Sequence, residues 1–257
     1  MTLVLYNAPQ STCSQRVRFV LHAKGLAFEE HKLNLLDGDQ LKPDYLAINP
    51  NGVVPSLLHD GEKVIDSSVI VEYLDELRPD VAPFRPKGLV KIAEMRTMMR
   101  FIDEVPAAAI RVPTFNLAFL PKFKAMSADE FTAFANSKPL RKEFMLAMGQ
   151  TGFPQKDMDQ ALDRLGRTVA RMDEWIAASG GPWLMGKSIT LPDIMVMPVI
   201  VRMDDINLDR LWADRPAVAR WYELLQAQPS FKPTYYPGSL LTEQYAHLSD
   251  LRAKKGR

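Results

Sequence analysis

Apolar positions along the first 78 residues repeat in two different periods. Leu3-Val4-Leu5-Tyr6 predicts a buried strand over Thr2 to Tyr6, and Val17, Val20, Leu21 and Lys24 share one stripe of a helix ending near Gly25. Phe28 to Leu35 alternates as a second strand. Val53 to Leu58 and Lys63 to Ile65 predict two short strands around the turn His59-Asp60-Gly61. Val69, Ile70, Tyr73, Leu74 and Leu77 then form the apolar face of a closing helix. The order βαβ, loop-helix, ββα implies an α+β, thioredoxin-like layer over residues 1–78, with helices on both faces of a small mixed sheet.

Pro79, Pro83 and Pro86 make residues 79–88 a linker, and residues 89–257 read as an all-helical second domain. Met158, Leu162, Leu165, Val169, Met172 and Ile176 draw one seam along a bundle helix, with the methionines as core filling. Thr190-Leu191-Pro192-Asp193 predicts a capping box stapled by Ile189 and Ile194, a device of folding and not of catalysis. Between Pro106 and Pro154 the pattern is untidy. Pro106, Pro113 and Pro121 interrupt helices, while Phe115, Phe119, Phe123, Phe131, Phe134 and Phe144 supply aromatic surface. Two readings stand open for this segment: a wall over a hydrophobic substrate, or extra helices that thicken the bundle.

Charge removes several classes of function. The 257 residues carry 32 Lys and Arg against 31 Asp and Glu, which leaves no electrostatic footprint for nucleic acid or an anionic membrane. The basic end, Arg252 to Arg257, reads as a solvated tail. One cysteine excludes an intrachain disulfide, no apolar run reaches membrane-spanning length, and the N-terminus begins directly with strand-like sequence, so a cytoplasmic protein is expected. His22, His31, His59 and His247 are scattered, with no metal-ligand spacing, and no phosphate-loop or dinucleotide glycine pattern occurs.

The candidate chemistry sits where the first strand turns through Ala8-Pro9-Gln10 into Ser11-Thr12-Cys13-Ser14-Gln15-Arg16-Val17-Arg18. A helix opening with hydroxyls and a thiol presents unpaired N–H groups and the positive end of its dipole, a place to hold an anion such as a thiolate. A thiol of pKa ~8.5 needs roughly 2.7 kcal/mol of differential interaction to be lowered by two units, and a hydroxyl hydrogen bond to the anion is of that size.

Together with Gly52-Val53-Val54-Pro55-Ser56-Leu57 and Asp66-Ser67-Ser68, this segment resembles the glutathione-binding half of the cytosolic glutathione transferases. The resemblance implies glutathione as co-substrate, Ser11 as the hydroxyl on its sulfur, and Thr12 and Cys13 as neighbouring donors. Zeta-like members carry a serine at the position of Ser11. A glutathione-dependent reductive dehalogenase carries a cysteine at that of Cys13, where it resolves a glutathione adduct; a buried small hydrophobe is the other reading of Cys13. Val54-Pro55 resembles the family's cis-proline, which turns the preceding backbone toward the peptide's cysteine. Asp66 and Ser67 are implied to bind the γ-glutamyl end. Val53 replaces the Lys or Gln that many relatives use for the glycyl carboxylate, so Gln40 or Lys42 is expected to take over.

Met126-Ser127-Ala128-Asp129-Glu130-Phe131 and Thr151-Gly152-Phe153-Pro154-Gln155 are similar to segments of the bacterial lignin β-etherases, which displace a phenol from the carbon α to a ketone. The second-substrate pocket is accordingly expected between Pro9 in the turn, Phe101, Phe115 and Phe119, and Tyr235 or Tyr236. Reductive dehalogenation, zeta-like isomerisation and non-catalytic ligand binding remain as alternatives. The family resemblance also implies a homodimer.

Overall fold

The computed structural model describes residues 1–250. Strands β1 (Leu3–Asn7), β2 (Glu29–Lys32), β3 (Ser56–His59) and β4 (Glu62–Ile65) form one mixed sheet in the order β2-β1-β3-β4. β1 runs parallel to β2 and antiparallel to β3, with Leu5 opposite both Glu30 and Leu57. Strand alternation divides the side chains between two faces. Leu3, Leu5 and Leu57 enter the main core with α1 (Thr12–Ala23) and α3 (Ser67–Leu77). Tyr6 joins a separate cluster with Tyr45 of α2 (Pro43–Ile48), Ala8 and Val54. Helices thus cover both faces, the thioredoxin-like arrangement expected from the sequence.

Local polar contacts trim the predicted strands. β2 stops at Lys32 because the Asn34 N–H bonds the Asp39 carboxylate at 2.7 Å and the Asn34 side chain accepts from the Leu36 N–H at 3.1 Å, closing a turn. β3 begins at Ser56 and not Val53, since the Val53 carbonyl accepts from the Tyr45 hydroxyl at 2.6 Å and from the Asn49 amide at 2.9 Å. Val69, placed on the apolar face by periodicity, is 53% exposed. Lys24 is fully buried against Asp75 at 2.6 Å.

Beyond the proline-rich segment the chain is built from helices. α4 (Leu89–Glu104) is followed by α5 (Pro106–Ala109), α6 (Arg111–Thr114), a π-helical turn (Phe115–Phe119), α7 (Leu120–Lys124), α8 (Ala128–Asn136) and α9 (Lys142–Met148). Then come α10 (Gln155–Ser179), α11 (Leu191–Asp205), α12 (Pro216–Gln226), α13 (Phe231–Thr234) and α14 (Leu241–Gln244). Along the seam of α10, Leu165, Val169, Met172 and Ile176 are buried, while Leu162 is partly buried against the same core. α11 is buried nearly throughout and packs on α1 and α4, which fastens the sheet layer to the bundle. Its capping box forms as the sequence predicts. No helix among the described residues is long and apolar enough to cross a membrane. The basic tail, Arg252 to Arg257, lies outside the described residues.

The segment from Pro106 to Pro154 builds a small core of its own. Phe123, Phe131, Met145 and Met148 are buried there, with Phe115, Phe119, Phe134, Phe144 and Phe153 packed around them. The Asn116 amide clasps its two ends, donating to the Phe153 carbonyl at 2.9 Å and accepting from the Phe153 N–H at 2.8 Å. It also reaches the sheet layer. Lys122 donates to the Leu36 carbonyl at 2.7 Å, and Pro139 stands so close to Gly52 that a Cβ there would lie 3.1 Å from the ring.

Candidate active site

Ser11 is the N-cap of α1, its Oγ accepting from the Ser14 N–H at 3.2 Å. That bond occupies a lone pair and leaves the hydroxyl proton for an acceptor outside the helix. Helical geometry likewise leaves the N–H groups of Thr12 and Cys13 without intrahelical partners. Ser11, Thr12 and Cys13 are each half-buried and line one cavity.

The turn before them is held by buried charge. Arg18 donates to the Asn7 side chain at 2.6 Å, the Pro9 carbonyl at 2.8 Å and the Thr234 carbonyl at 3.0 Å. Gln15 bonds the carbonyls of Pro9 and Ser239, and Arg202 bonds that of Gln10. Arg16 reaches the Met195 carbonyl at 2.9 Å, Asp103 at 2.6 Å and Ser67 Oγ at 3.3 Å. The polar residues of the sequence motif are therefore mostly braces. They fix Ser11 from one side and Ser67 from the other, at the junction of both halves of the chain.

The Val54-Pro55 peptide is cis, and Val54 lines the cavity. Asp66, at φ 72°, caps α3 by accepting from the Ser68 N–H at 2.8 Å. The cavity lining does not include Asp66 or Ser67; Ser67 is tied to α1 through Arg16. Gln40 lines the cavity with its amide on the Leu35 carbonyl and its buried Oε1 unbonded. Lys42 does not line it. Its ammonium turns outward to Asp39 at 2.7 Å, and the side chain is 69% exposed.

The cavity has a volume of about 580 Å³ and runs from the Ser11 turn, past Pro9, Val53 and Val54, to the segment between Pro106 and Pro154. Phe115, Phe119, Phe123 and Phe144 form its aromatic wall, with Phe115 edge-on to both Phe119 and Phe144 at 4.9 Å. Both readings of that segment find a counterpart: it adds helices with a core of their own, and some of their phenylalanines line the cavity. Two expected wall residues stand elsewhere. Phe101 faces another groove between α4 and α10, edge-on to Trp175 and beneath Arg171. Tyr235 is packed behind the turn, where burial holds its phenol above the ordinary range. Tyr236 also lies outside, bonding Glu30 at 2.7 Å. Tyr245, edge-on to Phe119, supplies the aromatic ring from the C-terminal segment instead.

Cations on the wall went unnoticed in the sequence. Arg111 and Arg141 line the cavity within electrostatic reach of Cys13 and of each other. Burial, then repulsion from Arg141, pushes the Arg111 guanidinium down to about 10. Lys138, 7% exposed, is pushed down to about 8 by burial and by Lys122. The available signal was basic residues interleaved with phenylalanines in a segment already marked as unusual.

Residues 5–82 match the family model described as Glutathione S-transferase, N-terminal domain, and residues 155–224 match Glutathione S-transferase, C-terminal domain. Protein LigF of Sphingobium sp. is 27% identical, over 91% of this chain and 93% of its own length. A zeta-class glutathione S-transferase of Euphorbia esula is 48% identical, over 90% of this chain and 88% of its own length. A probable maleylacetoacetate isomerase of Caenorhabditis elegans is 30% identical, over 89% and 90%. Among solved structures, the β-etherase LigF from Sphingobium sp. superposes with a TM-score of 0.82 at 28% identity, over 91% of this chain and 99% of that one. With a match in each half, and relatives at 30% identity or more along nine-tenths of its length, the chain belongs to the glutathione S-transferase family, whose co-substrate is glutathione.

Proposed function

We propose that the protein binds glutathione, ionises its thiol at Ser11, and uses the thiolate to displace a leaving group from an aromatic substrate, with β-aryl ether cleavage as the reaction. The observation that carries this reading is one cavity lined both by Ser11 at the start of α1 and by Phe115, Phe119, Phe123 and Phe144. In that reaction sulfur attacks the carbon α to the ketone, and the C–O bond breaks with its electron pair leaving on the phenolate. Aligning the two reactants in one cavity supplies most of what such a displacement needs. Val54 backbone meets the peptide's cysteine, Asp66 and Ser67 its γ-glutamyl end, and Gln40 its glycyl carboxylate. A cytoplasmic homodimer belongs to the same reading. A second reading rests on Cys13, which lines the cavity two residues from Ser11 and would resolve a glutathione adduct in a reductive dehalogenation.

A β-aryl ether model compound should release phenol only in the presence of glutathione, assayed beside a chlorinated hydroquinone and a simple aryl halide. Phe115→Ala should raise the Michaelis constant for the ether several-fold and spare glutathione affinity. Turnover of the hydroquinone alone, abolished after one cycle by Cys13→Ser, would favour the dehalogenase reading. Glutathione binding without turnover of any of the three would make the protein a binder.

Recognition of the γ-glutamyl end is a separate expectation. Ser67→Ala removes a donor to a charged group, and calorimetry should show glutathione binding weakened by about 1.5–3 kcal/mol. An affinity equal to the parent's would remove Ser67 from the site.

A further inference from the structure

Six cations line the cavity, and they fall into two groups. Lys122 is held by the Leu36 carbonyl and Asp37, Arg202 by the carbonyl of Gln10 and the Thr114 hydroxyl, and Lys32 by Glu30. Arg111, Lys138 and Arg141 have no acceptor among the described residues. Lys138 Nζ is buried without a hydrogen-bond partner, 4.0 Å over the Phe134 ring. Asp37, the one carboxylate on the wall among those residues, is already engaged by Lys122. Clustered, part-buried cations are costly to leave unpaired, and a bound anion relieves both desolvation and mutual repulsion.

The placement of the three narrows the kind of anion. All belong to the stretch between the two family matches, which end at residue 82 and resume at residue 155. They come from the same segment as the aromatic wall. Cys13 is among the groups that act on both arginines, so the pair lies toward the sulfur end of the cavity. In the arrangement proposed above, the carboxylates of glutathione point away from that end, toward α3 and Gln40. The molecule that meets the sulfur from the other side is the second substrate. Guanidinium forks suit a carboxylate, which they can grip through paired N–H bonds.

We propose that the second substrate is an aryl carboxylate, its rings among Phe115, Phe119 and Phe144 and its anionic group held by Arg111 and Arg141. The inference rests on the reading of the cavity as a transferase centre and makes its substrate anionic, not merely hydrophobic.

The test is calorimetric titration of the glutathione-loaded, full-length protein with 4-phenoxybenzoate and with its neutral carboxamide. The acid should bind at least about tenfold more tightly, the discrimination given by one charge-assisted hydrogen bond. Arg111→Gln and Arg141→Gln should each reduce that preference, their combination should abolish it, and Arg141→Lys should retain part. Glutathione affinity, measured first and alone, should stay within about twofold of the parent's. If the arginine variants fail to fold, added salt applied to the parent should weaken the acid and leave the amide unchanged. Equal binding of acid and amide to the parent would overturn the proposal. So would an Arg141→Gln variant that loses glutathione affinity as much as acid affinity, since the cations would then serve the tripeptide. A parent that prefers the acid yet turns over no electrophile would overturn the transferase reading and leave the anion site standing.

Discussion

Asp193→Ala is expected to destabilise the protein by about 4 kcal/mol or more, enough to remove most of the ~5–15 kcal/mol by which a folded chain typically exceeds its unfolded state. The carboxylate is fully buried and accepts four hydrogen bonds, each shorter than 3 Å. Two come from Thr190, through its N–H and its hydroxyl, both at 2.8 Å. The others come from the Leu184 N–H at 2.9 Å and the Trp221 indole at 2.8 Å. One side chain thereby joins the start of α11, the loop after α10 and the middle of α12. Alanine leaves three N–H donors buried without an acceptor, each costing about 1–3 kcal/mol, while the Thr190 hydroxyl can turn elsewhere. Asp193→Asn keeps one acceptor oxygen and should fall between the two. Urea denaturation would show the loss as a lower midpoint with an unchanged slope. An unchanged midpoint would mean that the four bonds are replaced after truncation and the network is not a strut.

The cap was legible in the sequence, but its reach was not. Thr190 and Asp193 declare a capping box by their spacing alone, because both partners lie within one turn of helix. The bonds to Leu184 and Trp221 span nine and 28 residues, and no local pattern encodes them. The same division holds across the molecule. Periodicity located the sheet and its flanking helices, since alternation and helical stripes are local properties. It misplaced Val69, which fits the stripe of α3 but faces away from the core. It also took Lys24 as one more position on the stripe of α1, when that ammonium is buried only because Asp75 meets it there.

At the candidate site, residues of the local segments were readable and residues brought from afar were less so. Ser11, Thr12 and Cys13 lie at one helix start, and the cis peptide at Val54-Pro55 follows a loop with its own signature. Phe101 and Tyr235 were expected on the wall as aromatic residues of the right regions. Helix rotation decides such questions, and here it turns Phe101 toward Trp175 and Tyr235 into the packing behind the turn. Arg16 and Arg18 carried no assigned role in the sequence. Arg18 has near partners in Asn7 and Pro9, but Met195, Asp103 and Thr234 lie between 87 and 216 residues from the arginines they meet, so bracing between distant segments exists only in the folded chain.

Ser11→Ala is expected to raise the pKa of bound glutathione by about one to two units, with a tenfold to hundredfold loss of turnover near neutral pH. A hydrogen bond to a charged group contributes ~1.5–3 kcal/mol, and one unit of pKa corresponds to about 1.4 kcal/mol. In the proposed role the hydroxyl stabilises the thiolate form, so removing it should move ionisation to higher pH. The acid limb of the rate profile should shift upward by the same amount, and activity should recover toward the parent's at alkaline pH. Thr12 and Cys13 N–H groups stay in place at the start of α1, which is why affinity for glutathione should remain within several-fold of the parent's. Ser11 also caps α1 through Ser14, and losing that cap should cost a further ~1 kcal/mol of stability. The two roles separate cleanly. Thiolate absorbance followed against pH reports the first, and thermal unfolding reports the second. A lower melting temperature with an unshifted titration would make Ser11 a helix cap alone and pass ionisation of the thiol to Thr12, Cys13 or the backbone. Ser11→Thr, which keeps an oxygen for both tasks, should restore the titration and most of the lost stability together.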